Sequence, residues 1–138
     1  MKPWGSLWGA VLIAGCLVAA ASLACACGSR APHLPHVTAT AVVSANGRRV
    51  TIQVQSSGSG HGIGQAVLTY PDGRKAGDNG GQMEEGVGWS QWFGPLRPGR
   101  YEWAVYAVAR GSTPKYPIFP DGARTAQNIV ASGTVVIK

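Results

Sequence analysis

The sequence predicts an all-β domain, an antiparallel sandwich of six or seven strands preceded by an apolar N-terminal signal or anchor helix. Three observations predict it. Apolar and polar residues alternate with period two in several short runs, most clearly Val50-Thr51-Ile52-Gln53-Val54 and Tyr101-Glu102-Trp103-Ala104-Val105, the pattern of strands with one buried face. Turn-forming groups, Asn46-Gly47, Pro71-Asp72-Gly73 and Pro98-Gly99, separate these runs. After residue 27 no segment keeps a helical apolar period over three turns. At 138 residues the chain has room for one such domain.

The N-terminal run from Trp8 to Cys27 carries no charge; Lys2 precedes it and Gly28-Ser29-Arg30 follow. A short basic start, an apolar middle and a small-residue end are the layout of a secretory signal, and a run of this length also spans a bilayer as an uncleaved helix. All three cysteines fall in residues 1–27. Cys25 and Cys27 are too close in sequence for an ordinary bridge, and a zinc site wants spaced pairs where only His33 and His36 follow. Ala24-Cys25-Ala26 sets small residues before Cys27, and the run ends Cys-Gly-Ser. This segment resembles a bacterial lipoprotein signal, which implies a lipid on Cys27. Cys25 ranks next and Cys16 last, because a cut before Cys16 leaves the apolar stretch LVAAASLA at the new terminus. Each reading puts the domain outside the cytoplasm, anchored to the cell membrane. An exported domain with at most one cysteine relies on its hydrophobic core alone.

Residues 28–36, GSRAPHLPH, read as a flexible spacer, and the domain as 37–138. Two alternating runs joined at Asn46-Gly47 form the first hairpin. Residues 55–64, QSSGSGHGIG, read as a glycine-rich loop with His61 solvated in it. AVLTY makes the third strand and is closed by Pro71-Asp72-Gly73. Lys75 to Gly88 reads as a polar loop with one short edge strand. Val87 to Phe93 follows, with Trp89, Gln91 and Phe93 on one face and Ser90 and Trp92 on the other. The run 101–108 is the central strand, with Trp103 in the core. After the loop STPKYPIFPDGARTAQ the closing strand, NIVASGTVVIK, carries an irregularity at Ser132-Gly133.

The corner Leu96-Arg97-Pro98-Gly99-Arg100-Tyr101 resembles the approach to the sixth strand in bacterial immunoglobulin-like and fibronectin type III-like modules. The resemblance implies an immunoglobulin-like sandwich in which the tyrosine hydroxyl ties the corner to nearby backbone.

Catalysis is not expected. The six carboxylates are scattered, Glu84-Glu85 being the only adjacent pair, and no serine sits in a Gly-x-Ser-x-Gly elbow. No motif asks for a cofactor or a metal. The net charge of +6 is dispersed along the chain, without the dense stripe that nucleic-acid binding uses. Candidate binding residues are the aromatics: one of Trp89 and Trp92 faces outward, and Tyr116 and Phe119 punctuate the proline-rich loop. Together Trp89, Trp92, Tyr116 and Phe119 form a candidate binding surface. Two functions follow: a membrane-tethered module that contacts another protein, or a small-ligand or glycan-binding protein that uses these aromatics.

Overall fold

A computed structural model describes residues 31–138; the expected signal or anchor helix and the three cysteines, Cys16, Cys25 and Cys27, lie outside the described residues. Eight strands follow in order: β1 (His36–Val43), β2 (Val50–Ser57), β3 (His61–Thr69), β4 (Lys75–Gly77), β5 (Gly81–Glu84), β6 (Gly88–Phe93), β7 (Gly99–Ala109) and β8 (Ile129–Ile137). All pairings are antiparallel. One sheet runs β1-β2-β6; the other runs β4-β3-β7-β8, with β5 also paired to β3.

The period-two pattern dictates the packing. Val50, Ile52 and Val54 of β2 point inward with Phe93 of β6, and meet Ala66, Leu68, Tyr101, Trp103 and Val105 of the second sheet in one core. Trp103 fits because its cross-strand partner is Gly133: a Cβ there would stand 2.8 Å from the indole nitrogen. The ladder irregularity on β8 falls at Val130, between the Val105–Ala131 and Tyr106–Ile129 pairs, and Ser132 and Gly133 stay in register.

Three further expectations change. The first hairpin closes through the loop from Ser44 to Arg49, with Ser44 N–H donating to the Arg49 carbonyl at 2.8 Å. Only Gly47 of the Asn46-Gly47 pair takes a positive φ, of 72°; Asn46 instead accepts hydrogen bonds from Ser44 Oγ and the Arg48 N–H. The glycine-rich stretch 55–64 is mostly strand. Gly64 lies under the Met83 methyl and Gly62 under Leu34, so these glycines serve close packing rather than a mobile loop. Between 75 and 88 there are two short strands, and the total among the described residues is eight rather than six or seven.

Residues 33–36, expected as the end of a flexible spacer, are fixed to the domain. Pro35 is buried, the His33 carbonyl accepts from the His61 N–H at 3.0 Å, and His33 Nε2 lies 3.2 Å from Ser59 Oγ. The described chain therefore enters the sandwich at the end where β2 stops and β3 starts.

The outer face of the five-stranded sheet is half covered by the long segment between β7 and β8. Phe119, only 4% exposed, packs there on Ile63, Val67 and Tyr106. Its N–H donates to the Asn79 carbonyl at 2.6 Å. Arg124 Nε donates to Gln65 Oε1 at 2.8 Å, and Gln65 Nε2 in turn donates to the Asp78 carbonyl. Buried Gln65 is thus satisfied on both ends of its amide, as burial requires.

Candidate functional site

The four aromatics singled out in the sequence do not form one surface. Trp89 is half-buried: its indole N–H donates to the Gln82 carbonyl at 3.1 Å and its ring covers Gly81, so it closes the seam between β6 and β5. Phe119 is buried, pinning the β7–β8 segment. Trp92 and Tyr116 are exposed, at 57% and 80%. Trp92 stands on the outer face of the three-stranded sheet, opposite Thr51. Tyr116 belongs to the segment that covers the outer face of the other sheet. The two exposed rings thus stand on different elements, and no aromatic contact joins them.

The structure assembles a different feature, which the dispersed charges hid. Three connections meet at the end of the sandwich away from residues 31–35: the β1–β2 loop, the β3–β4 turn and the β6–β7 loop. The Leu96 N–H donates to the Arg48 carbonyl at 2.7 Å, joining the first to the third. A Cβ on Gly99 would meet Pro71 at 3.0 Å, which puts the second against the third. Around this pole stand Arg48, Arg49, Arg74, Lys75, Arg97, Arg100 and Lys138, all exposed, with Asp72 and Glu102 as the only nearby acidic residues. The rest of the described chain carries Arg110, Lys115 and Arg124 against Asp78, Glu84, Glu85 and Asp121, so the positive charge is polarised toward one end. Among the described residues the one ion pair, His61–Glu84 at 3.8 Å, lies at the other end. The cations of the pole are thus available to an outside partner.

Aromatic groups border these cations. The Arg49 guanidinium stands 4.2 Å from the Trp92 ring centroid and that of Arg74 stands 4.4 Å from Tyr70, a geometry in which the ring quadrupole attracts the charge. Between the β3–β4 turn and the β6–β7 loop lies a cleft of about 510 Å³ lined by Tyr70, Pro71, Asp72, Arg74, Pro95, Leu96, Arg97, Pro98 and Tyr101. Tyr70 meets Tyr101 edge-on at 5.5 Å. The Tyr101 hydroxyl donates to the Arg97 carbonyl at 2.8 Å, as the corner motif leads one to expect. Among the described residues no three His, Cys, Asp or Glu side chains gather as metal ligands, and no helix is long and apolar enough to cross a membrane.

Compared with protein-family models, with curated proteins and with solved structures, the chain finds no match in any of the three. The pole could not be read from local sequence because its cations come from separate connections and strand ends. Arg48-Arg49 and Arg74-Lys75, each beside a turn signal, were the available trace of it: residues at turns of an antiparallel sandwich gather at its two ends.

Proposed function

We propose that this chain is an exported, membrane-tethered and non-catalytic binding module of the immunoglobulin-like, fibronectin type III-like kind, which contacts a protein partner through its basic pole. The observation that carries this reading is the convergence on one end of the sandwich of seven cations that make no ion pair among the described residues, two of them stacked on Trp92 and Tyr70. Arginine and aromatic side chains dominate protein contacts, and a field of one sign steers an oppositely charged partner.

The sheet assignment supports the fold reading. The first, second and sixth strands share one sheet, and the third, seventh and eighth share the other, matching the A-B-E and C-F-G partition of that class. Here β5 joins the second sheet. The tyrosine corner, Tyr101 to Arg97, adds to the likeness. The reading includes a tether upstream of residue 31, with lipid on Cys27 or an uncleaved apolar helix. Intact mass of the chain from native membranes tests the tether: an acylated chain beginning at Cys27 is expected, and a full-length unmodified mass identifies an uncleaved anchor instead.

Co-purification from native membranes tests the partner. Wild type is compared with a variant carrying Arg48→Gln, Arg49→Gln, Arg97→Gln and Arg100→Gln. A protein that accompanies the wild type in fixed ratio, leaves with salt and is lost with the variant is expected; equal retention by the variant removes the pole from the account.

A glycan reading rests on a separate observation. Thr38, Thr40, Gln53 and Gln55 border a shallow groove of about 190 Å³ on the outer face of the three-stranded sheet, the face that also carries Trp92. Uncharged hydroxyl and amide groups of this sort suit a neutral sugar. The reading ranks second because Arg49 already stands over the Trp92 ring, where a sugar would stack.

A further inference from the structure

We propose that the cleft between the β3–β4 turn and the β6–β7 loop receives an extended acidic segment of the partner protein, anchored by an apolar side chain. This rests on the reading of the pole as a protein-binding end and specifies what it takes. The cleft joins two chemistries, apolar and cationic. Its lining includes the half-buried Tyr70 and three exposed prolines, over the buried Leu96 and Tyr101, and it also carries the exposed Arg74 and Arg97. The lone acid of the lining, Asp72, already accepts the Arg74 backbone N–H at 2.9 Å.

Guanidinium groups pair with carboxylates through two parallel charge-assisted hydrogen bonds. A bare polyanion satisfies the arginines but offers nothing to the apolar lining. A greasy peptide without acids fills the lining and leaves the surrounding positive field unanswered. A segment that alternates carboxylates with apolar side chains answers both, and the volume lies within the range of sites that enclose a small ligand, about 300–1,000 Å³.

The cleft is also preformed. The Tyr70 N–H donates to the Arg74 carbonyl at 2.8 Å and the Gly73 N–H to the Tyr70 carbonyl at 2.9 Å, closing the turn. On the facing wall, Leu96 is held by the Arg48 carbonyl and the Arg97 carbonyl by Tyr101. Little ordering on this side opposes binding, which favours affinity for a given contact area.

Fluorescence anisotropy of the full chain in a neutral detergent tests the proposal with three labelled probes. These are a peptide alternating glutamate with leucine, an all-glutamate peptide of the same length, and a polyphosphate of matched charge. The alternating peptide is expected to bind tightest. Arg74→Gln and Arg97→Gln each weaken it about tenfold, the scale of one charge-assisted contact. Tyr70→Ala weakens it similarly, whereas Lys115→Gln, far from the cleft, leaves it unchanged. Equal binding of all-glutamate or polyphosphate, insensitive to Tyr70→Ala, overturns the cleft proposal and leaves a diffuse basic pole that can still bind a protein. Failure of all three probes at low salt also overturns it; the pole itself stands or falls by the co-purification comparison.

Discussion

Tyr101 has an apolar ring in the core, 2% exposed, and a hydroxyl that fixes the Arg97 carbonyl on the cleft wall. Tyr101→Phe keeps the ring and removes one hydrogen bond, so a loss of about 1 kcal/mol is expected in urea unfolding. An unchanged midpoint would show that the corner is held by its prolines alone. Gly81 has the opposite constraint, since it is defined by what it lacks. Any Cβ there collides with the Trp89 ring, so Gly81→Ala pushes the indole from the seam. The expected cost is about 1–3 kcal/mol, with a shift in tryptophan emission; wild-type stability would mean the ring moves freely. At this scale the sequence is legible where a residue type announces its role: the corner tyrosine and the inward Trp103 are both found as expected. It is silent where a glycine serves a distant ring, as Gly81 serves Trp89 and Gly133 serves Trp103.

The period-two runs gave β1, β2, β6, β7 and β8 because each has one polar and one apolar face. The start of β3 escaped, since His61 to Gly64 is half glycine and shows no alternation. Its strand character comes from tertiary neighbours, Met83 and Leu34, that need the missing side chains. The β7–β8 segment shows the same limit. Its aromatics and prolines were visible, but only the fold reveals that Phe119 is turned inward against Ile63, Val67 and Tyr106 while Tyr116 is turned outward. Phe119→Ala therefore removes the anchor of a cover rather than a ligand contact. Hydrogen exchange is expected to accelerate across 112–128 while β2 and β7 amides stay protected, with a stability loss of about 3 kcal/mol. Uniform acceleration through both sheets would instead make this segment part of the single cooperative core.

At the scale of the molecule, antiparallel connectivity collects alternate connections at alternate ends, and that turns a dispersed charge of +6 into a basic pole. No window of sequence contains this pole. Arg49, Arg74 and Arg97 are separated by whole strands, and only the closing of the sandwich brings their connections together. Unpaired exposed cations interact through screened fields with a reach of about 8 Å at physiological ionic strength. Partner binding should therefore weaken steeply as salt rises, whereas a contact made through Tyr116 and Ile118 on the covering segment should strengthen or hold. Titrating the co-purified complex with salt separates these cases.

If the pole is the working surface, site-specific photo-crosslinking in the native membrane finds the partner there. A photoreactive side chain is placed in turn at positions 97 and 74 on the pole, at 116 on the covering segment and at 59 at the opposite end. A protein adduct of one discrete mass is expected from 97 and 74, and none from 59 or 116. Adducts from 116 or 59 with none from the pole would contradict that expectation, and would move the working surface to the far end or flank of the sandwich.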